Sequence, residues 1–322
     1  MKEPIYDILI QNTRILTPDM TIRSGVDVAI KDGMISSICS SGSLSCQEAE
    51  QTVDGSRLLW MPGLTDGHMH TCQQLLRGKI LDALPMIWTR IMLPFESTLT
   101  PEAVSLSAAL CSLEMIRGGT TSFLDAGGIH MDEAAKVYIK SGLRGALTLS
   151  TMDDTKVPDS MRADAAESIS RLNEYYNTWN GSGDGRLSVY YSLRSLISCS
   201  EELIRGIFEA ADERSAMVEA HMNEYPNEIN YYLERYQMRP MEYLDSLGVL
   251  SDHFVSAHSL LLSEHEIELM AANGVKAVHC PFSNCGKGVP NTPRLLESGI
   301  SVAFGTDGTA HGGMSLFQEM KI

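Results

Sequence analysis

Short apolar runs recur through this chain from about Leu58 onward, and a loop and an amphipathic helix follow each of them. This alternation predicts a parallel sheet, because parallel neighbours need a crossover helix between them. Eight such units predict a closed (β/α)8 barrel, whereas the alternative, an open doubly wound sheet, lacks support because no glycine-rich dinucleotide turn follows an early strand. The predicted strands are the run before His68 and residues 122–125, 145–148, 187–191, 217–220, 254–257, 275–278 and 301–304.

The first 60 residues follow a different pattern, in which apolar and polar positions alternate and turns such as residues 31–33 (KDG) intervene. A period of two residues predicts half-buried strands. The sequence therefore predicts an α/β chain of two parts. Residues 1–60 form a small, incomplete β-sandwich layer, and residues 61–322 form a TIM-like barrel that stops after its eighth strand.

Four chemically rich segments each follow one of the predicted strands: residues 66–70 (DGHMH), 221–224 (HMNE), 257–259 (AHS) and 305–308 (GTDG). Alternate side chains of a strand share a face, so His68 and His70 can address one ion from the same strand end. His221 and Asp307 complete a nitrogen and oxygen ligand set that leaves one position open for water. We expect one divalent metal here, with zinc favoured over Fe²⁺ or Mn²⁺.

Further motifs occur in a fixed order around these segments: residues 61–64 (MPGL), 118–121 (GGTT) and 279–284 (HCPFSN). With the histidine segments, the series resembles the amidohydrolase superfamily, in particular S-adenosylhomocysteine/5-methylthioadenosine deaminases and their guanine deaminase and triazine chlorohydrolase relatives. The resemblance implies a metal-dependent hydrolase barrel acting on C–N bonds of cyclic amidines. It also implies that a final helix and the rest of the small β-domain are missing from this chain, which would leave an apolar seam exposed.

The chemistry needs a nucleophile stronger than water, and a divalent ion can lower the pKa of a bound water from ~15.7 toward ~7. Glu224 is predicted to take the water proton and deliver it to a ring nitrogen or leaving amine. His258 is placed to hydrogen-bond the attacking water, and Asp307 can serve as a second base as well as a ligand. His279 is expected to be a structural histidine satisfied by Asn284.

Substrate contacts point in two directions. Residues 93–96 (LPFE) resemble the segment whose glutamate holds ribose hydroxyls in nucleoside deaminases, so Glu96 favours a nucleoside. Arg194 and Gln73 instead resemble guanine deaminase positions, where they would bind a ring carbonyl and a ring edge. The predicted function is release of ammonia from an amino-substituted purine or purine nucleoside. The alternatives are a triazine chlorohydrolase or alkylaminohydrolase, and an inactive truncated metal-binding fragment.

Composition limits partners and location. A formal charge of −16 would repel a phosphate backbone, so nucleic acid is not expected as a partner. No apolar stretch is long enough to cross a bilayer, and the acidic amino terminus lacks a secretory signal, so we expect a cytoplasmic protein. A homo-oligomer is the alternative to a monomer that the sequence leaves open. The seven cysteines are dispersed and odd in number, which predicts reduced thiols. His311, four residues after Asp307, is expected to be a solvated loop residue.

Overall fold

The computed structural model describes residues 4–80, 87–309 and 312–322. His311 therefore lies outside the described residues. The chain divides into two compact units, Met1–Gly63 and Leu64–Ile322. All seven cysteines are free thiols.

The first unit contains a five-stranded sheet. Its central strand β1 pairs antiparallel with β2 and parallel with β4 and β5, and β2 pairs antiparallel with β3. Ile10, Val26 and Val28 are buried, as the alternating pattern predicts. The adjacent Leu9 is buried as well, and Ile35 and Ile38 of β3 are exposed, so the alternation holds only in part. The strands are β1 (Tyr6–Leu16), β2 (Ile22–Lys31), β3 (Met34–Ser40), β4 (Ala49–Asp54) and β5 (Leu59–Trp60).

The second unit contains parallel strands in two hydrogen-bonded arrays, β6-β7-β8-β9 and β10-β11-β12-β13-β14. Each predicted apolar run forms a strand, which confirms the repeated β/α organisation. The strands are β6 (Leu64–Met69), β7 (Thr120–Asp125), β8 (Arg144–Leu147), β9 (Leu187–Val189), β10 (Tyr191–Ser195), β11 (Val218–Met222), β12 (Phe254–His258), β13 (Lys276–His279) and β14 (Val302–Phe304).

The predicted fourth strand, residues 187–191, consists of β9 and the start of β10. Only Tyr190 separates them. The amide of Tyr190 donates to the carbonyl of Leu147, whereas the next amide, from Tyr191, donates to the carbonyl of Met217. Successive amides of an extended chain point to opposite sides, so this stretch changes its partner from β8 to β11.

The helices begin and end at residues with clear local reasons. Thr100 accepts a hydrogen bond from the amide of Ala103 and is the N-cap of α2. Gly119, with a left-handed φ of 79°, is the C-cap of the same helix. Ser263 and Glu266 form a capping box on α9. The helices are α1 (Leu93–Glu96), α2 (Pro101–Gly118), α3 (Met131–Ser141), α4 (Ala165–Trp179), α5 (Ser182–Gly185), α6 (Glu201–Asp212), α7 (Pro226–Tyr236), α8 (Pro240–Ser246), α9 (Glu264–Asn273), α10 (Pro281–Asn284), α11 (Thr292–Glu297) and α12 (Leu316–Glu319).

Two large apolar cores hold the strands and helices of this unit together. One contains Leu203 and Ile207 of α6 with Val218 and Phe254 of the neighbouring strands. The other contains residues of α2 and α3 with Phe123 of β7. Strands β11 and β12 are buried along their whole length, as expected for parallel strands covered on both faces.

Among the described residues, no single helix is long and apolar enough to span a bilayer. Trp88–Glu96 and Pro101–Gly118 together have the length and apolar composition of a span, but the two helices are bent by 111° relative to each other.

Candidate metal centre and active-site pocket

The four predicted metal ligands come together at the carboxyl ends of three strands. His68 is the next-to-last residue of β6, and His70 follows that strand directly. His221 is the next-to-last residue of β11, and Asp307 lies three residues beyond β14. The amide of Asp307 donates to the carbonyl of His68 at 2.9 Å, which joins the first of these strand ends to the last.

Four residues at or after the ends of β11, β12 and β14 have left-handed backbone conformations. Asn223, His258, Ser259 and Asp307 have φ values of 53°, 69°, 49° and 56°. Such conformations are uncommon for residues other than glycine and concentrate at functional sites, where surrounding contacts compensate for their cost. The left-handed turn places each of these residues at the point where its strand gives way to a loop.

The distances within the cluster are short. His70 Nε2 lies 3.0 Å from His221 Nε2 and 3.2 Å from Asp307 Oδ1, and His68 Nε2 lies 3.5 Å from the same oxygen. His258 also belongs to the cluster: one ligand atom each from His68, His221, His258 and Asp307 lie within 4.8 Å of one another. Three imidazoles and one carboxylate are thus spaced closely enough to hold one ion, and His70 lies against two members of that group, His221 and Asp307.

Hydrogen bonding leaves this cluster incomplete in a way that fits a cation. His68 Nε2 and His258 Nε2 are buried and have no hydrogen-bond partner within residues 4–80, 87–309 and 312–322. Buried ring nitrogens are almost always paired, so each exception calls for a partner. For His68 Nε2, a divalent ion bound by nitrogen and carboxylate oxygen supplies one.

The protonation states of His70, His221 and Asp307 are also those of a ligand set. Burial lowers the pKa of His70 to about 3 and that of His221 well below its ordinary value, so both rings are neutral at pH 7. Burial would raise the pKa of Asp307, but the adjacent rings of His68 and His70 hold it well below its ordinary value. Neutral imidazole and ionised carboxylate are the forms that bind zinc.

Glu219 is a site residue that the sequence reasoning missed. It is buried, and its Oε1 lies 2.7 Å from Nδ1 of His68. Burial lowers the pKa of His68, but the charges of Glu219 and Asp307 outweigh this and raise it to about 10. The carboxylates therefore draw positive charge into the centre. The available signal was a charged residue inside an apolar run, two positions before His221 and so on the same face of β11.

Asp66 and Thr306, two further residues of the motifs, bind each other. The Asp66 carboxylate accepts hydrogen bonds from the amide of Thr306 at 3.0 Å and from the Thr306 hydroxyl at 2.6 Å. Burial raises the pKa of Asp66 to about 6. The segment before His68 and the segment before Asp307 are thus tied together, so these two predicted ligands are held in a common frame.

The predicted acid–base residue Glu224 lies beside the cluster. Its Oε1 is 3.6 Å from His258 Nε2 and 2.5 Å from Lys287 Nζ. Burial would raise the pKa of Glu224, but the charges of His258 and Lys287 hold it below its ordinary value. On its other side, His258 Nδ1 lies 3.0 Å from Asn284 Oδ1. The same Asn284 contacts His279 Nδ1 at 3.1 Å, which is the contact expected for His279.

A cavity borders the cluster. Two of the three predicted substrate contacts, Gln73 and Arg194, line it together with Glu224 and Trp88. The third, Glu96, is fully buried and accepts hydrogen bonds from Gln73 Nε2 at 2.8 Å and from the Arg194 guanidinium at 3.2 and 3.3 Å. The structure therefore joins all three predicted contacts in one polar group.

Comparison with known proteins extends these observations. A sequence model of the amidohydrolase family matches residues 59–322. The 5'-deoxyadenosine deaminase of Methanothermobacter thermautotrophicus is 36% identical over 312 residues, which cover 93% of this chain and 69% of that protein. The 5-methylthioadenosine/S-adenosylhomocysteine deaminase of Pelotomaculum thermopropionicum is 32% identical over 323 residues, which cover 98% of this chain and 72% of that protein.

Solved structures agree with the sequence relatives. A crystal structure described as an adenosine deaminase from Xanthomonas campestris with bound zinc superposes with a TM-score of 0.87 at 26% identity, covering 99% of this chain and 73% of that one. A guanine deaminase and triazine hydrolases, each below 25% identity, share the fold. The resemblance inferred from the ordered motifs is therefore confirmed.

Proposed function

This chain belongs to the amidohydrolase family, and from that premise we propose that it is a metal-dependent aminohydrolase releasing ammonia from an amino-substituted purine or purine nucleoside. The observation that carries the proposal is the convergence of His68, His70, His221 and Asp307 beside Glu224 in one cavity. The deaminases of adenosine derivatives among its relatives support the same reaction.

The proposed ligands of a single zinc ion are His68, His70, His221 and Asp307. His258 is assigned to the substrate side instead, because Asn284 holds its Nδ1 and its Nε2 faces Glu224. When bound, a divalent ion in such a site lowers the pKa of a water molecule from ~15.7 toward ~7. Glu219 orients His68 so that Nε2, rather than Nδ1, points into the centre.

Glu224 is the proposed proton carrier. At neutral pH its carboxylate is ionised, so it can accept one proton of the attacking water and deliver it to a ring nitrogen. The second proton of that water then passes to the departing amine, which leaves as ammonia, while the carbon keeps the oxygen as a carbonyl. His258 lies close enough to the same volume to hydrogen-bond the attacking water or the developing tetrahedral carbon's oxygen. Asp307, the second carboxylate of the cavity, is the proposed second base.

Substrate recognition is proposed to depend on Arg194 and Gln73. Arg194 lies over the Trp88 ring at 6.0 Å, and Gln73 Oε1 is buried without a partner among the described residues. A guanidinium and a free amide oxygen match a heterocycle that presents a ring carbonyl and a ring N–H. Glu96 is engaged by both side chains, and the deaminases of adenosine derivatives among the relatives support a nucleoside as the substrate.

Contacts between the first and last strands support a closed barrel as the proposed form of the second unit. Met69 and Asp307 form a parallel bridge between the first and last strand ends. An added Cβ at Gly67 would lie 2.9 Å from Ala303 Cβ, and one at Gly305 would lie 2.8 Å from the carbonyl oxygen of His68. Only glycine allows two strands to approach so closely. The break between β9 and β10 is one residue long, so these two segments count as one strand and the proposed barrel has eight strands. The proposed barrel comprises residues 61–322, and residues 1–60 form the separate small β-layer.

The test combines elemental analysis with ammonia release from a panel of purines, nucleosides, pterins and triazines. We expect about one zinc per chain, activity that disappears on chelation and returns with zinc, and turnover of at least one aminopurine. Glu224→Gln should keep the metal and lose at least ~10²-fold in turnover, because the amide preserves shape but cannot accept and transfer a proton. Undiminished turnover by metal-free protein, or no ammonia from any member of the panel, would contradict the proposal.

A further inference from the structure

Lys287 is a buried lysine to which the reaction described above assigns no role. It lies in the loop after α10, and its side chain is 9% exposed where it borders the active-site cavity. An ammonium group removed from water is retained only where acceptors replace its hydration. The contacts of Lys287 therefore identify the groups whose position it controls.

Lys287 Nζ has two close oxygen acceptors. It lies 2.5 Å from Glu224 Oε1 and 2.9 Å from Ser283 Oγ, and the Tyr225 ring lies 5.2 Å away on another side. Burial lowers the pKa of Lys287, but the charges of Glu224 and Asp307 outweigh this and raise it, so the group stays cationic. A charge-assisted contact of this length restrains a carboxylate more strongly than a neutral hydrogen bond does.

Ser283 extends the contact to the other side of the cavity. Its hydroxyl donates to Asp307 Oδ2 at 2.5 Å and accepts from Lys287 Nζ. Glu224, Lys287, Ser283 and Asp307 consequently form one continuous chain of hydrogen bonds. It joins the loop after β11, which carries Glu224, to the loop after β14, which carries Asp307.

The backbone beneath Glu224 is restrained separately. Glu228 accepts hydrogen bonds from the amides of Asn223 and Glu224 at 3.1 and 3.0 Å. These contacts set where the Glu224 main chain lies but leave its side-chain torsions free. The orientation of the carboxylate therefore depends on its side-chain contacts, of which the one to Lys287 is far shorter than the 3.6 Å contact to His258.

We propose that Lys287 is a positioning residue, which holds the Glu224 carboxylate in its proton-transfer orientation and couples it through Ser283 to Asp307. The inference rests on the proposed function, because it assigns Glu224 the proton-carrying role. A lysine that positions a proton carrier affects turnover, whereas a lysine that binds the substrate directly affects KM. The two roles are thus separable by kinetics.

The experiment compares Lys287→Met, Lys287→Arg and Lys287→Ala with Lys136→Met, which removes a half-exposed lysine paired with Glu133 on α3. Zinc content, melting temperature, kcat and KM are measured for each, with turnover followed by ultraviolet absorbance of the heterocycle. We expect Lys287→Met to keep zinc and to lose ~10–100-fold in kcat with KM within about threefold of the wild-type value. Lys136→Met should match the wild type.

Two further measurements keep the inference testable if the methionine variant is unstable. Propylammonium added to Lys287→Ala should restore part of kcat, since it supplies the missing ammonium from the cavity side, and Lys287→Arg should retain more activity than Lys287→Met. A crystal structure of Lys287→Met or, failing that, of Lys287→Ala should show the Glu224 carboxylate displaced by about 1 Å or more, a shift large enough to slow proton transfer.

Unchanged kcat in Lys287→Met, a loss confined to KM, or a Glu224 carboxylate that stays in place would each overturn the inference. A variant that loses zinc and gains nothing from propylammonium would also overturn it, because the role would then be structural. Failure of the proposed function looks different: the wild-type protein itself would release no ammonia. In that case the position of Glu224 in the variant crystal structure still decides the role of Lys287.

Discussion

The Nδ1 atom of His68 lies 2.7 Å from Oε1 of Glu219, and both side chains are almost completely excluded from solvent. A carboxylate on one ring nitrogen fixes the tautomer and ring orientation, so that the other nitrogen presents its lone pair. The carboxylate also makes the imidazole more basic and therefore a stronger metal ligand. In this protein the relationship spans two different strands, because His68 belongs to β6 and Glu219 to β11.

The first prediction concerns this pair. Glu219→Gln should weaken zinc binding by ~10–100-fold, because the amide neither fixes the tautomer nor adds negative charge behind the ring. The measurement is a competition titration against a chromophoric chelator. Glu209→Gln, on the exposed face of α6, is the matched control and should leave the affinity unchanged. Equal affinities for Glu219→Gln and the wild type would show that Glu219 does not support the metal ligand.

The second prediction concerns the buried ion pair between Glu96 and Arg194. Removing either partner leaves an uncompensated buried charge, so Glu96→Gln and Arg194→Met should each lower the free energy of unfolding by about 3–5 kcal/mol. The double variant should lose less than the sum of the single losses, because no charge is left unpaired. Urea unfolding of the four proteins measures the coupling. Strict additivity would mean that the pair contributes no mutual stabilisation.

The third prediction concerns Gly308, which follows Asp307. An added Cβ there would lie 1.8 Å from Gln73 Oε1, so Gly308→Ala must push the Gln73 amide away from its place in the cavity. We expect a loss of roughly tenfold or more in kcat/KM with zinc content unchanged, because a displaced recognition group misplaces the substrate. Gly118→Ala, whose Cβ would make an ordinary 3.7 Å contact with the carbonyl oxygen of Met314, is the steric control. Full activity in Gly308→Ala would show that Gln73 does not take part in substrate recognition.

The fourth prediction concerns pH. Burial raises the pKa of Glu228 to about 8, above the value of 4.5 for an exposed glutamate, even though two backbone amides oppose the shift. A raised folded-state pKa contributes stability that is fully present below pH 4.5 and is lost as pH rises through 8. Between these limits Glu228 should lower the free energy of unfolding by up to about 1.4 kcal/mol per pH unit.

Glu228→Gln isolates that contribution. The amide is neutral at every pH, so the difference in unfolding free energy between the wild type and the variant should shift in the variant's favour from pH 5 to 8 and level off above it. Urea unfolding of the zinc-loaded proteins at unit steps of pH gives the curve. Glu234→Gln, an exposed change on the same helix, should give a flat difference, and a flat difference for Glu228→Gln would refute the burial effect.

Much of the site could be read from the sequence because its signals are local. His68 and His70 are two residues apart in a strand, and the strand period of two puts them on one side. The carboxyl ends of parallel strands meet at one edge of the sheet, so His221, His258 and Asp307 were expected to join them there. The strands were also predictable, because a parallel strand that is buried on both faces consists of a nearly continuous run of apolar residues.

The rest of the site was decided by tertiary structure. Glu219 reaches His68 across 151 positions of sequence, and Arg194 reaches Glu96 across 98, although Arg194 and Glu96 had been assigned to different kinds of substrate. No local period encodes such pairs. They depend on strand register and on where long side chains end, both of which follow from packing of the whole unit.

The sequence by itself therefore determined the family, the repeated β/α organisation and the set of candidate ligands, because periodicity and motif order are properties of neighbouring residues. Only the tertiary structure decided which carboxylate orients His68, which cation holds Glu224 and which acid is already engaged by Arg194. Those choices are made by the energetics of buried charge, in which each ionised group must find a partner among whatever residues the fold brings within reach.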